Sequence, residues 1–196
     1  TNPAEGETRY SYDAANRLVQ VGLYTGGSYT LLSEAEYNGV GERVALTTYA
    51  LGVPQTVSYV VAGGQLLVAD DGSQETLYLY GQTLIAEYGS GWNYPLRDSN
   101  SSVRQTVDES GGVTSARTYK PFGEILQEGG PYQSAFGFLG AQLDRVSGLL
   151  YVGGRYYDPA TGRYLTPNHG EANPYAPVQH PGIWLLLPLI GAQSTW

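Results

Sequence analysis

The stretch TRYSYDAANRLVQV, residues 8–21, reads as two short strands joined by a turn. Tyr10 and Tyr12 occupy alternate positions, so both rings fall on one face of a period-two strand. Asp13 and Asn16 follow with turn chemistry, because an Asp side chain accepts hydrogen bonds from nearby amides and Asn tolerates a left-handed backbone. The alternation of apolar and polar residues then resumes, and the stretch predicts a β-hairpin.

The same pattern returns 25 residues later in AEYNGVGERVALTTY, residues 35–49. Tyr37 and Asn38 stand where the tyrosine and the acid of the first hairpin stood, and Gly41 lies near the end of the turn. A repeat of this kind indicates stacked units that bury their faces on one another. The residues predicted to build these two hairpins are Tyr10, Tyr12, Asp13, Asn16, Arg17, Tyr37, Asn38, Gly41 and Arg43.

Turn signals continue along the chain at the spacing of hairpin arrays. The pairs Gly63-Gly64 and Asp71-Gly72 separate alternating stretches, and 27 Gly and 11 Pro leave little room for helices. The acids at residues 70–71 lack the further oxygen ligands of a calcium loop and are better interpreted as a hairpin turn. The sequence predicts an all-β fold of consecutive antiparallel hairpins that form an extended or coiled sheet.

Composition excludes several classes of function. The net charge of -8 disfavours nucleic acid and anionic membrane surfaces as partners. The chain has no Cys and two histidines, His169 and His180, so we predict no metal site and no cofactor. Its glycine pairs lead from strand to strand, which is not the context of a phosphate-binding loop.

The two ends of the sequence raise questions of processing and anchoring. The sequence contains no Met, which predicts a processed chain or a piece of a longer protein. The apolar run GIWLLLPLIGA, residues 182–192, is shorter than the ~20 residues of a membrane span and is interrupted by Pro188. We expect it to be a buried tail rather than the start of an anchor, so no firm membrane insertion is predicted.

Several motifs in order resemble the Rhs family of YD-repeat proteins. YSYDAANRL, residues 10–18, looks like a YD repeat, and residues 94–125 and 136–168 resemble the family's core-associated region. The resemblance implies secreted or surface-displayed hairpins that coil as a strip into a hollow shell. On this basis we predict YD-repeat hairpins over residues 1–75, the core-associated region over 76–175 and an apolar tail over 176–196, in one continuous structural domain.

The resemblance also implies one chemical activity, which is self-cleavage by an aspartate pair in toxin members. Asp158 fits the first position of the family motif D-P-x-x-G-R, and Pro159, Gly162 and Arg163 match it as well. Such cleavage needs two carboxylates that share a proton, so that one acts as base and the other as acid. The family's second aspartate is replaced by Asn168, which cannot ionise. We therefore predict no enzymatic activity, and Asp158, Asn168 and Arg163 are vestigial candidates.

The same stretch has a purely structural interpretation. Asp158 serves as a turn acid. The ring of Pro159 fixes the φ angle of Pro159 at a value that suits the turn, and Gly162 tolerates a positive φ angle. Arg155 and Arg163 then pair with carboxylates or stack on neighbouring tyrosines. The residues predicted to build this turn are Tyr157, Asp158, Pro159 and Gly162.

Three functions follow as hypotheses. The first is a non-enzymatic, extracellular building block that self-assembles through its sheet edges into a homo-oligomer, filament or shell. The second is the C-terminal shell segment of a toxin with aspartyl self-cleavage. The third is a cell-surface adhesion module that binds surface glycans by aromatic stacking. Asn100 begins an Asn-Ser-Ser glycan acceptor pattern, which is meaningful if the producing cell glycosylates such sites.

Overall fold

The computed structural model describes residues 6–167 and Tyr175, and it confirms the all-β fold of consecutive hairpins. Twelve strands form one sheet in which each strand lies antiparallel to its sequence neighbours. The strands are β1 (Glu7–Tyr12), β2 (Leu18–Thr25), β3 (Ser28–Tyr37), β4 (Arg43–Ala50), β5 (Val53–Ala62), β6 (Gln65–Asp70), β7 (Glu75–Tyr80), β8 (Leu84–Tyr88), β9 (Trp92–Arg97), β10 (Val103–Val107), β11 (Val113–Tyr119) and β12 (Ile125–Gly129).

A second, smaller sheet follows the first. A short 3₁₀ turn at Phe138–Gly140 leads into its strands, which again pair in sequence order. They are β13 (Gln142–Leu143), β14 (Leu150–Val152), β15 (Arg155–Asp158) and β16 (Arg163–Tyr164). The meander therefore continues, with shorter strands, to the end of the described chain.

Residues 131–167 lie against one face of the large sheet, which we call the covered face. Leu149 and Tyr156 of this segment pack with Leu18 and Leu46 of the large sheet. Phe136 packs edge-on against Tyr78 with ring centroids 5.4 Å apart and joins a second cluster under β6 to β10. The segment thus supplies the apolar partner that a sheet needs on at least one face.

Two kinds of turn recur among the connections of the large sheet. Several connections are two-residue turns with positive φ at both residues, as at Gly26-Gly27 and Gly63-Gly64, which suits the twist of a hairpin. Others are five-residue turns, in which the first N–H donates to the fifth carbonyl and the fourth residue is left-handed. The connections over residues 71–74, 81–83 and 89–91 have three or four residues. Five-residue turns begin at Asp13, Asn38, Asp98, Asp108 and Lys120.

The predicted boundary between residues 75 and 76 falls inside β7, and the sheet runs through it without interruption. The predicted tail over 176–196, including the apolar run 182–192, lies outside the described residues. Within the part of the chain that the structure describes, no helix is long and apolar enough to cross a membrane.

The turn over residues 38–42 offers a matched test of its left-handed position. Gly41 has φ +88, whereas Gly39 in the same turn has no positive φ and has open space around it. We expect Gly41→Ala to lower the free energy of unfolding by about 1 kcal/mol, because an L side chain is strained there. Gly39→Ala should change it by less than about 0.5 kcal/mol in either direction. Chemical denaturation of both variants measures the difference, and equal effects would contradict the assigned backbone.

Candidate functional site

The acids of the five-residue turns bind their own backbone. Asp13 Oδ1 accepts hydrogen bonds from the amides of Ala15 and Arg17, both at 2.9 Å. Its other oxygen lies 2.6 Å from Arg17 Nη2. These bonds, led by the one from the Arg17 side chain, hold the pKa of Asp13 below its usual value. The carboxylate is therefore a cap for the turn amides, as Asn38 Oδ1 is for Val40 and Glu42 in the next repeat.

The tyrosine before such a turn reaches back to the preceding hairpin. Tyr37 donates its hydroxyl to the carbonyl of Leu18, the first residue of β2, at 2.7 Å. Tyr119 makes the same bond to the carbonyl of Val103, the first residue of β10, at 2.8 Å. In each case the tyrosine is the last residue of its strand, and it bonds to the first residue of the neighbouring strand in the preceding hairpin. The pattern gives the tyrosine and the acid of a YD repeat separate structural roles.

Side chains also link one turn to the next along this edge of the sheet. The Arg17 guanidinium lies 4.8 Å from the Tyr37 ring centroid and donates to the carbonyl of Asn38 at 3.2 Å. Glu42 in that second turn accepts the Gly64 amide of the third at 2.9 Å. The turns are thus held to one another as well as within themselves.

Arg43 occupies a buried aromatic cage between the two sheets. Its side chain donates to the Tyr156 hydroxyl at 2.8 Å and to the side-chain amide oxygen of Gln142. Its guanidinium carbon lies 4.2 Å from the Tyr151 ring centroid and 5.2 Å from that of Tyr59. The residue is 3% exposed, and no described carboxylate forms an ion pair with it. Ring faces and polar oxygens therefore take the place of a counter-ion.

A buried carboxyl and a buried guanidinium hold the start of the covering segment. Glu87 on β8 is 0% exposed and accepts hydrogen bonds from Tyr132 Oη and Ser134 Oγ, each at 2.5 Å. Arg117 on β11 donates to the carbonyls of Ser134 and Phe136 at 2.8 and 2.6 Å. The sheet thus offers an acceptor for the segment's hydroxyls and a donor for its carbonyls. We call these five residues the polar clamp.

Glu128 on β12 connects the clamp to the second sheet. Arg117 Nε lies 2.5 Å from Glu128 Oε1, and the Arg145 guanidinium binds both Glu128 oxygens at 2.9 and 3.0 Å. The hydrogen bonds from Arg145, followed by those from Arg117, lower the pKa of Glu128 to about 2. The last strand of the large sheet is therefore tied to the segment that crosses it.

Asp158 is located in a turn of its own between β15 and β16. Its Oδ1 accepts the Ala160 amide at 2.9 Å and its Oδ2 accepts the Thr161 hydroxyl at 2.8 Å. Gly162 has φ +70 and donates its amide to the Asp158 carbonyl at 2.8 Å. Arg163 stands opposite Asp158 in the strand register and is exposed. Both carboxylate oxygens thus have partners within the turn.

The neighbours of Asp158 do not supply a second aspartate. A cavity of about 330 Å³ beside it is lined by Pro159, Glu124 and Arg145, among other residues. No carboxylate of residues 6–167 hydrogen-bonds to Asp158. Asn168, the counterpart of the family's second aspartate, lies outside the described residues, as do both histidines. The described residues contain no group of three or more His, Cys, Asp or Glu suited to a metal ion.

The remaining predicted residues occupy strand and turn positions. Tyr10 packs at the border of the core cluster that contains Tyr156. Tyr12 donates its hydroxyl to the Leu165 carbonyl at 3.1 Å, and Tyr157 donates to that of Phe122 at 3.0 Å. Asn16 has φ 60.

The glycan acceptor pattern lies in the five-residue turn that begins at Asp98. Asn100 is exposed, whereas Ser102, the third residue of the pattern, is 0% exposed. The Ser102 hydroxyl accepts the Leu139 amide at 3.0 Å. Glycosylation of Asn100 stays a prediction.

Sequence reasoning missed the polar clamp. Glu87 and its partner Tyr132 are 45 residues apart, and nothing else in the short strand LIAEY marks Glu87 as buried. A signal was present in Arg117, because an arginine among the small polar residues of β11 interrupts the expected alternation. Arg117 therefore indicates that a charged side chain is buried, but the sequence does not show which residues bind it.

These capped and clamped hairpins define the chain as a segment of a YD-repeat β-shell. The profile of the Teneurin YD-shell family matches residues 68–178, and the chain belongs to that family. Teneurin-1 of Gallus gallus is 31% identical over 186 residues, which cover 84% of this chain and 7% of that protein.

Solved toxin structures share the fold. The crystal structure of TcdB2-TccC3-Cdc42 has a TM-score of 0.71 and 19% identity over 87% of this chain and 10% of that chain. The Photorhabdus luminescens Tc holotoxin pore has a TM-score of 0.70 and 18% identity over 87% and 9%. The chain thus spans a tenth or less of teneurin-1 and of these two toxin chains, and the toxin structures show its fold alone.

Glu87 makes the stability of the clamp depend on pH. Burial raises the pKa of Glu87, against the opposing hydrogen bonds from Ser134 and Tyr132 and the charges of Arg117 and Arg97. A raised folded-state pKa means that this group's contribution to stability is complete below its unfolded pKa and is lost as the pH rises through the folded value. Each unit of the raised pKa corresponds to about 1.4 kcal/mol.

We therefore expect Glu87→Gln to be most favourable, relative to wild type, at about pH 8 and to lose that advantage toward about pH 4. Unfolding free energies measured by denaturant titration across this range check the expectation. Glu109→Gln, the same change at an exposed turn position, serves as the control, and its curve should run parallel to wild type. A constant difference between Glu87→Gln and wild type at every pH would contradict it.

Proposed function

We propose that this chain is a non-enzymatic structural segment of an extracellular or cell-surface YD shell. One observation supports this above others: the motif acids, tyrosines and arginines bind one another and the backbone. Asp13 caps its own turn, Tyr37 holds the preceding hairpin and Arg43 fills the cage between the sheets. Because the polar groups of these residues are already bonded within the fold, the residues stabilise the sheet and are not available to a reactive pocket.

The proposal includes assembly through the sheet edges. Within the described residues, β1 pairs with β2 alone and β12 pairs with β11 alone, so both outer strands have one free edge. A free edge carries N–H and C=O groups that can form a ladder with another strand. We propose that further YD hairpins, supplied by other copies of this chain, pair there and extend the sheet.

Proline substitutions on β1 test the assembly. Adjacent amides of a strand point to opposite sides, so one of Thr8 and Arg9 donates toward β2 and the other donates outward. The proline at the outward amide should abolish assembly with little loss of thermal stability, because it removes no bond of the β1–β2 ladder. The other proline should lower thermal stability. Light scattering and negative-stain microscopy measure assembly, and a wild-type chain that stays monomeric at all concentrations would contradict the proposal.

The non-enzymatic part of the proposal concerns Asp158. The toxin alternative needs a carboxylate pair, whereas Asp158 has both oxygens bonded within its turn and the second family position is Asn168. We expect purified chain to keep its intact mass through prolonged incubation between about pH 4 and about pH 8. Mass spectrometry of wild type beside Asp158→Asn measures this. Cleavage that occurs in wild type and disappears in the variant would favour the toxin alternative.

The adhesion alternative stays a prediction. Tyr88, Trp92 and Tyr94 line up near the surface, with ring centroids 4.9 and 6.4 Å apart in succession. Such contacts are typical of cross-strand packing, which by itself stabilises the sheet. The extracellular location and the absence of a nucleic-acid partner are further parts of the proposal. The resemblance to secreted YD-repeat proteins supports the first, and the net charge of -8 supports the second.

A further inference from the structure

The hairpin that turns at Asp98 lacks the tyrosine of the YD pattern. On the same edge of the sheet, Tyr37, Tyr80 and Tyr119 each precede a turn and interact with the backbone of the preceding hairpin, whereas Ala62 precedes the Gly63-Gly64 turn. At the end of β9 the residue before the turn acid Asp98 is Arg97, so the dipeptide is RD rather than YD. Within the described residues, Arg97 does not make the hydrogen bond to a backbone carbonyl that Tyr37 and Tyr119 make.

A cavity of about 240 Å³ lies beside Arg97, and its lining includes Leu84, the first residue of β8. Its walls are mostly apolar side chains of the covered face and of the covering segment. They include Tyr80, Leu84, Val103, Phe136 and Leu139, with Arg97 among them. A concave apolar site with a single charged group is the usual form of a small-ligand pocket.

The charge in this cavity lacks a counter-ion. No carboxylate of residues 6–167 lies within ion-pair distance of Arg97, whereas Arg17, Arg104 and Arg117 each have one. Glu87 acts on Arg97 electrostatically, but its two oxygens accept hydrogen bonds from the clamp hydroxyls. Burial lowers the pKa of Arg97, which reflects the cost of holding the charge among apolar groups. An anion beside it would offset that cost.

One residue of the cavity wall is held in a strained conformation. Leu139 has φ 56, which is unfavourable for a branched side chain, and its amide is fixed by the buried hydroxyl of Ser102. Strain of this kind persists where the surroundings impose it, and it is frequent around ligand sites. Here it keeps Leu139 on the cavity wall beside Gly140.

We propose that this cavity binds a carboxylate carried on a compact apolar group, with the Arg97 guanidinium as its anchor. A guanidinium matches a carboxylate by two parallel N–H to O bonds, and the apolar walls accept the body of the ligand. At about 30 Å³ per water, the cavity corresponds to on the order of eight waters, which suits an acid with a single ring or branched chain. The acid can be a free molecule or the carboxyl end of a polypeptide. This site is independent of the shell function and of edge assembly.

Titration with defined probes tests the proposal. The probes are 3-phenylpropionate, its neutral amide, and acetyl-Ala-Phe with either a free or an amidated carboxyl end. Isothermal titration calorimetry and NMR of the Arg97 side chain follow binding to wild type, Arg97→Gln, Arg97→Tyr and the exposed-site control Arg9→Gln. We expect wild type and the control to bind a carboxylate form about tenfold or more tightly than the matching amide. The Arg97→Gln variant should lose that preference.

The Arg97→Tyr variant restores the YD motif. Its ring should fill the cavity and its hydroxyl should reach the preceding hairpin, so we expect no ligand binding and a higher melting temperature than wild type. Binding by the free acid identifies a small molecule, and binding by the peptide acid alone identifies a chain end; either result supports the site. The proposal is overturned if neither acid is preferred over its amide by wild type, or if Arg97→Gln keeps the preference.

Discussion

The constraint on which this structure depends is that each hairpin turn must satisfy its own amides and also hold the turn beside it. In the first repeat a carboxylate does the former, since Asp13 accepts two amides of its turn. The phenol of the following repeat does the latter, because Tyr37 bonds to the strand that leaves that turn. A long meander has many strand ends that can open locally, and these hydrogen bonds stabilise successive strand ends along the sheet. The covering segment then packs on a sheet whose edge is already ordered.

The contact between that segment and the sheet is more polar than an ordinary sheet core. Arg43, Glu87 and Arg117 are all at most 3% exposed, and each has hydrogen-bond partners across the contact. Buried charges of this kind add little net stability compared with apolar packing. They do, however, penalise any displaced arrangement, because a shift of the segment leaves buried donors and acceptors without partners. We infer that the clamp and the cage fix the register of residues 131–167 more than they fix its affinity for the sheet.

The fold could be predicted from the sequence because its bonds are largely local. The turn over residues 13–17 requires an acceptor at its start and a left-handed residue near its end, and Asp13 and Asn16 supply both within four positions. Alternation of apolar residues then fixes the strands on either side. The clamp could not be predicted in this way, because Glu87 and Ser134 are 47 residues apart and nothing near either one names the other. Arg97 is intermediate, since the break in the YD pattern is visible in the sequence but the cavity that accompanies it is not.

The two faces of the sheet have different chemistry, which bears on how such a wall is used. The uncovered face carries Leu77 and Leu79 of β7, which are 46% and 50% exposed, whereas Tyr78 between them is 8% exposed. Only one face is therefore closed within the described chain, and each strand pair contributes its own share of the buried contact. Stability in such a strip is close to a sum over neighbouring hairpins, as in other repeat architectures. A substitution such as Tyr for Arg at one turn then alters one cavity without disturbing distant hairpins. Because the hairpins are independent in this way, a shell wall can acquire a binding pocket at a single repeat while the neighbouring repeats keep their structural role.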